Sequence, residues 1–257
     1  MAVAVCLLSV VPMRKEPTHR SEMVSQLLFG EYVDTREEKD DFTCVTCIYD
    51  GYPGWVQSSQ LKAISSEQTL TPLGFINSYT TEVVVNGKAR RVPFAAPVYR
   101  PSGANTSLIM ANQKIAYSEE SFWKAGANSF SKEMLETIVQ VFLDTPYLWG
   151  GKSVFGIDCS GFVQQTFKLF GVMLLRDAYL QAEQGAPVSS IEEAQLGDLA
   201  FFKNDSERVV HVGIVLEEGA IAHASGKVRI DKIDADGIIN GETGKRTHSL
   251  HSIRRFF

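Results

Sequence analysis

The stretch Tyr147-Leu-Trp-Gly-Gly-Lys-Ser-Val-Phe-Gly-Ile-Asp-Cys-Ser-Gly161 holds the densest pattern in this chain, and the reading of its cysteine decides fold and chemistry together. Paired glycines permit a tight backbone. The Asp158-Cys159-Ser160-Gly161 turn delivers Cys159 to the first turn of a helix, because Phe162, Val163, Thr166, Phe167 and Phe170 share one helical face and Gly171 stands at a C-cap position. A sulfur placed there meets unpaired N–H groups and the positive end of the helix dipole, which favour thiolate, the nucleophilic form. A packing cysteine would sit among apolar neighbours; Asp158 and Ser160 are polar and cap-forming instead.

A cysteine nucleophile needs a base, and His211 in VVHVGIVL (209–216) is the candidate. Its β-branched and apolar neighbours place it on a largely buried strand. A three-residue hairpin loop at Glu217-Glu218-Gly219 pairs Leu216 with Ala220 and sets His223 opposite Gly213, which shares a strand face with His211. The two imidazoles then become diagonal neighbours about 7–8 Å apart at Cα, within side-chain hydrogen-bonding reach. A two-residue loop would turn His223 to the other face. His211 is thus the expected base and His223 its orienting partner.

Upstream of this stretch, SKEMLETIVQVFL predicts an amphipathic helix with Ser131 as N-cap, stopped at Asp144-Thr145-Pro146. Downstream, GDLAFF, VVHVGIVL, AIAHAS, KVRID and SIRRFF read as successive strands, so the carboxy-terminal half is an α+β domain. From residue 1 to about 125 the pattern is short strands and turns: VAVCLLSV, FTCVTCIYD, TEVVVNG, RRVPFAAPVYR and SLIMANQKIAYS, punctuated by Asp50-Gly51, Pro53-Gly54, Asn86-Gly87 and Pro101-Ser102-Gly103. Glu22, Met23, Gln26 and Leu27 stand at helical spacing after Ser21 and predict one short helix among these strands. The polar segment AISSEQTLTP (63–72) divides the half into two small all-β barrels, giving domains at 1–63, 64–125 and 126–257.

Composition bounds the function. The 257 residues carry 25 Lys+Arg against 30 Asp+Glu, a formal charge of −5, and no basic block of the kind nucleic-acid binding requires. No run approaches the roughly 18 apolar residues of a membrane span. MAVAVCLLSVVP lacks a charged n-region and a cleavage site, so it reads as a buried first strand ending in a turn at Pro12. If the sequence is complete, a cytoplasmic protein is expected; a leader trimmed away would make it periplasmic or envelope-bound. Four cysteines are too sparse for a disulfide scaffold. Cys44 and Cys47 are three apart on a strand and point to opposite faces, so neither a disulfide nor a shared metal fits, and with Cys6 they are packing residues. His19 lies in a polar turn, and His248 and His251 have no evident partner.

The residues from about 131 to 257 resemble the NlpC family of bacterial cell-wall cysteine peptidases, a reduced papain-like fold. The resemblance rests on Tyr-Leu-Trp-Gly-Gly, Asp-Cys-Ser-Gly-Phe-Val, Gly-Asp-Leu-Ala-Phe-Phe, His-Val-Gly-Ile-Val and Ile-Ala-His-Ala-Ser-Gly, in family order and spacing. It implies Cys159 as nucleophile, His211 as base, His223 as third polar residue, and the Tyr147 hydroxyl close to an oxyanion site that the Cys159 N–H helps to form. The amino-terminal half, through Ser21-Glu-Met-Val-Ser-Gln-Leu-Leu-Phe-Gly-Glu31 and Asp50-Gly-Tyr-Pro-Gly-Trp-Val56, is similar to the bacterial SH3-like barrels of γ-D-glutamyl-diamino acid endopeptidases.

Such enzymes cut the bond between γ-D-Glu and diaminopimelate or Lys in peptidoglycan stem peptides with a free L-Ala, the first barrel closing one end of the cleft. That implies a substrate-binding set of Glu22, Tyr52, Asp158 and Ser160, the acids with the Tyr52 hydroxyl suiting an ammonium. It implies no metal and no cofactor. Leu175 and Ala178 depart from the family's Pro-Arg and small-hydroxyl pattern, which removes a substrate hydrogen bond at 178. The alternatives to an endopeptidase are a non-catalytic cell-wall binding module and an acyltransferase using the same Cys-His-His site.

Overall fold

The structure, a computed structural model, describes residues 2–65, 71–99, 107–117, 122–125 and 130–257, and only the backbone of Ser107. The chain divides into two compact units. The first is Met1–Ser129 with Trp149–Val154 and Leu169–Gly171; the second is Phe130–Leu148, Phe155–Lys168 and Val172–Phe257.

In the first unit, β1 (Ala2–Cys6), β2 (Val10–Arg14), β3 (Met23–Leu28), β4 (Tyr32–Lys39), β5 (Phe42–Cys47), β6 (Pro53–Gln57) and β7 (Leu61–Ile64) form one antiparallel sheet in the order β3-β2-β6-β5-β4-β1-β7. The unbroken apolar run at the start of the chain follows from burial on both faces of β1. Val3 and Val5 enter one core, shared with Ile76, Val83, Val92 and Ile115 further along the chain. Ala4 and Cys6, one residue out of phase, enter another with Val33, Val45 and Val56. Those later residues lie among β8 (Gly74–Ile76), β9 (Thr80–Val85), β10 (Lys88–Pro93), β11 (Pro97–Val98), β12 (Ser107–Met110), β13 (Gln113–Ala116) and β14 (Phe122–Lys124). They form sheets ordered β10-β9-β13-β12 and β11-β8-β14.

Two expectations are corrected here. Residues 23–28 are a strand, not a helix: six residues hold too few turns for a 3.6 period to be decisive, and pairing of Val11 with Leu27 and Met13 with Ser25 takes up the backbone. Pro12 lies within β2 rather than in a turn. It is tolerated because β2 meets β6 only at Arg14, so the missing N–H breaks no central ladder. The four cysteines are free, with Cys6 and Cys47 buried and Cys44 half-buried. The predicted Pro101-Ser102-Gly103 turn, and the middle of the predicted linker near 63–72, lie outside the described residues.

The second unit begins with α1 (Lys132–Phe142), where the Ser131 hydroxyl accepts the Met134 N–H and Leu135, Ile138, Val139 and Phe142 are buried. The next helix, α2 (Cys159–Leu169), starts at the cysteine. Gly171, at φ +77°, ends it, and the Val172 N–H returns to the Phe167 carbonyl. Every residue of α2 is buried, including Gln164, Gln165, Thr166 and Lys168, so its second face is covered as well as the apolar one.

A short α3 (Ala178–Gln181) precedes β15 (Ala186–Val188), β16 (Leu199–Lys203), β17 (Val209–Val215), β18 (Ala220–Ser225), β19 (Lys227–Asp234), β20 (Gly237–Ile239) and β21 (Arg246–Arg255). These are antiparallel in the order β15-β21-β16-β17-β18-β19-β20, and β20 pairs again with β21, closing six strands into a barrel. That closure was not expected from the sequence. It depends on Gly237, at φ +132°, where a Cβ would lie 1.8 Å from the His248 carbonyl oxygen.

Candidate active site

The β17–β18 hairpin has the register that its loop chemistry predicts. The Leu216 N–H donates to the Ala220 carbonyl, Glu218 and Gly219 take positive φ, and His223 stands opposite Gly213. His211 Nε2 and His223 Nδ1 are 2.9 Å apart, with both rings buried. One residue before His211 the register against β16 slips: Phe202 faces His211 while Lys203 faces Val209, so Val210 bulges outward and is half-exposed.

The hairpin continues into a residue that the sequence reading missed. His223 Nε2 lies 3.1 Å from Asp231 Oδ2 on β19. Asp231 Oδ1 accepts from Arg229 Nη2 at 3.1 Å and from the Gly241 N–H at 2.9 Å. These contacts together hold the Asp231 carboxyl below the usual carboxylate range, although burial opposes them. An ionised carboxylate only accepts, so His223 Nε2 carries hydrogen and its Nδ1 is an acceptor. His211 Nε2 must then donate to that Nδ1, which leaves the Nδ1 lone pair of His211 bare. Burial, with His248 and His223 nearby, holds His211 well below its usual pKa, so it is neutral and able to take a proton.

Cys159 sits at the head of α2 as predicted, but its electrostatics are not those expected. The N–H groups of Val212 and Ser160 lie against its sulfur and favour thiolate, whereas burial first and the Asp158 charge second outweigh them and push the thiol up to about 12. The contact with Val212 brings the sulfur to the residue after His211. A thiolate in this setting needs a proton acceptor close by rather than a helix dipole alone. Tyr147 is half-buried and linked to the site by its N–H, which donates to the Gly226 carbonyl at 2.9 Å. Burial and the charges of Cys159 and Asp158 push its phenol up, so it remains a hydroxyl donor.

Asp158 and Ser160 are buried and held from within. Arg176, itself 1% exposed, donates from Nη1 to Asp158 Oδ1 (3.0 Å) and Ser160 Oγ (2.8 Å) and from Nη2 to Asp158 Oδ2 (2.6 Å). Asp158 Oδ1 also accepts the Gly161 N–H at 2.7 Å, capping α2. The charge offered to a substrate ammonium at Asp158 is therefore already matched by a guanidinium. Leu175 presents its N–H to Gln184 Oε1, and Ala178 is a buried first residue of α3. In the first unit, Glu22 is exposed and accepts the Trp149 indole N–H at 2.8 Å, and Tyr52 is half-buried, its N–H on Asp50 Oδ1. His248, without a partner in the sequence reading, stacks on His211 with ring centroids 4.1 Å apart.

Cys159, the histidine pair and the carboxylate stand within a region with known relatives. Residues 144–246 match the NlpC/P60 family, and residues 13–61 match the bacterial dipeptidyl-peptidase Sh3 domain. The gamma-D-glutamyl-L-lysine dipeptidyl-peptidase of Bacillus subtilis is 31% identical, over 78% of this chain and 71% of its own. The chain belongs to the NlpC/P60 family. It is a cysteine peptidase with an amino-terminal SH3-like domain. A second relative, the gamma-D-glutamyl-L-lysine dipeptidyl-peptidase of Bacillus cereus, is 26% identical over 90% of this chain and 77% of its own. Among solved structures, an NlpC/P60 family protein from Bacillus cereus superposes with a TM-score of 0.82 over 98% of this chain and 99% of that one. At 23% identity, that likeness speaks for the fold. No helix among the described residues is long and apolar enough to cross a membrane.

Proposed function

We propose that this NlpC/P60 peptidase hydrolyses the bond between γ-D-Glu and the diamino acid, diaminopimelate or Lys, of peptidoglycan stem peptides with a free amino-terminal L-Ala, in murein peptide turnover or recycling. The observation carrying the proposal is the polarised relay from Asp231 through His223 to the bare Nδ1 of His211, beside the strand residue that touches the Cys159 sulfur. The names of the relatives supply the substrate class.

In this reading His211 Nδ1 takes the Cys159 proton as the sulfur attacks the γ-carbonyl carbon of D-Glu. The resulting imidazolium is shared with His223 and faces Asp231, whose charge lowers its cost. The Cys159 N–H and the Tyr147 hydroxyl stabilise the oxyanion. His211 then protonates the departing amine of the diamino acid, leaving a thioester. Water, deprotonated by the same nitrogen, releases the γ-D-glutamyl acid and the thiol.

Glu22 and Tyr52 supply the acid and hydroxyl for the substrate ammonium, and Asp158 and Ser160 contribute through the Arg176-held cluster. The architecture proposed is two SH3-like barrels, at 1–63 and 64–125, before a papain-like domain at 126–257. Incubation with L-Ala-γ-D-Glu-diaminopimelate and its N-acetylated form, beside Cys159→Ala, tests this. Cleavage of the free peptide alone, abolished in the variant, is expected. Equal cleavage of both forms removes the ammonium requirement, and no cleavage of either removes the substrate assignment.

A further inference from the structure

His248 brings a third imidazole to the His211–His223 pair. One ring nitrogen from each of the three lies within 4.8 Å of the others. His211 and His223 are buried and His248 is half-buried, so one side of the cluster is reachable. His248 reaches it only through the barrel closure: it lies opposite Ile238, on the strand pair that Gly237 allows to approach. Its Nδ1 is 2.8 Å from Thr247 Oγ1, which leaves Nε2 as its free donor atom. Behind His223, Asp231 provides the carboxylate that orients a metal-ligating imidazole and raises its basicity.

We propose that His211, His223 and His248 form an inhibitory site for zinc, a borderline cation suited to imidazole. The closest pair, His211 Nε2 and His223 Nδ1, is already 2.9 Å apart. Four-coordinate zinc at about 2.0–2.1 Å needs roughly 3.3 Å between donors, so the His211–His223 pair opens slightly and His248 closes in from a separation of no more than 4.8 Å. Zinc replaces the hydrogen between His211 Nε2 and His223 Nδ1, and that proton moves to His211 Nδ1. No net proton is lost, but the nitrogen that would accept the Cys159 proton is now occupied. The inhibitory consequence rests on the proposed role of His211; zinc binding itself does not.

Calorimetric titration of the full chain with zinc chloride alone tests the site, using Cys159→Ala to exclude thiolate binding. One high-affinity equivalent is expected, weakened at least tenfold in Cys159→Ala/His248→Phe, which keeps an aromatic ring over His211. Cobalt substitution should give a visible absorption band in Cys159→Ala that the double variant lacks. With Cys159 intact, zinc should lower turnover of the wild type, and His248→Phe, measured against its own metal-free rate, should resist it. Absence of binding to Cys159→Ala, or equal affinity in the double variant, overturns the proposal. Loss of all peptidase activity with His248-dependent binding intact would refute the catalytic reading alone.

Discussion

Asp231 and His223, eight residues apart on neighbouring strands, are joined by a 3.1 Å hydrogen bond in which both side chains are 1% exposed. His223 stands opposite Arg229, so Asp231, two residues on, shares the face of Arg229 and lies diagonal to the imidazole. The carboxylate sets which nitrogen of His223 carries hydrogen, and through it which nitrogen of His211 does not.

Asp231→Asn should therefore damage turnover more than folding. An amide can donate to His223 Nε2 and stabilise the opposite tautomer, and in serine peptidases the comparable change costs about 10⁴-fold in kcat. A kcat loss of roughly 10²–10⁴-fold is expected, with a native circular dichroism spectrum. Unaltered kcat would show that the carboxylate does not set the tautomers.

Alkylation of Cys159 should depend on His211. Burial holds an isolated thiol here at about 12, so reaction with iodoacetamide at neutral pH requires proton transfer to the imidazole. His211→Ala should slow labelling by about 10²-fold or more, the usual scale of a general base. Mass spectrometry of the labelled peptide measures this, and equal rates would detach the thiol from the histidine.

Acid should destabilise the fold in a window set by the histidines. His248 is held down to about 4, and His211 and His223 are also lowered, burial being the first cause in each. As pH falls below the ordinary value of 6.5, the unfolded chain binds protons that the folded chain refuses, so stability falls with pH. The loss runs from about 6.5 towards 4 and continues as Asp231, itself lowered, is protonated. Melting temperature should drop between pH 7 and 5, with a shallower slope in His248→Phe; identical slopes would contradict the assignment to His248.

Gly237→Ala should destabilise by at least about 1–3 kcal/mol, because the backbone would be strained at φ +132° and the new Cβ would collide with the His248 carbonyl. Urea unfolding measures this, and a midpoint within error of wild type would mean that the β20–β21 closure yields easily.

Much of the site was legible because its determinants are local. Cys159 follows from a helix pattern and its cap, and His223 from the length of one loop, since a period of two converts a turn into a face. The same arithmetic carried past Ser225-Gly226 would have found Asp231, as AIAHASGKVRID forms the next hairpin, β18 paired with β19. Residues 23–28 were misread because six residues can satisfy either period, and the partner strand decided.

Arg176 and His248 were of another kind. Arg176 meets Asp158 across eighteen residues, and His248 meets His211 only because β20 and β21 close the barrel. By itself the sequence determined that Cys159 heads a helix and that His211 and His223 share one strand face, because turn chemistry and side-chain periodicity act over a few residues. Tertiary structure alone decided that burial pushes the Cys159 thiol up, that Asp158 is paired with Arg176, and that a third imidazole stacks on His211. Those properties depend on desolvation and on strand closure, which arise when distant segments exclude water together.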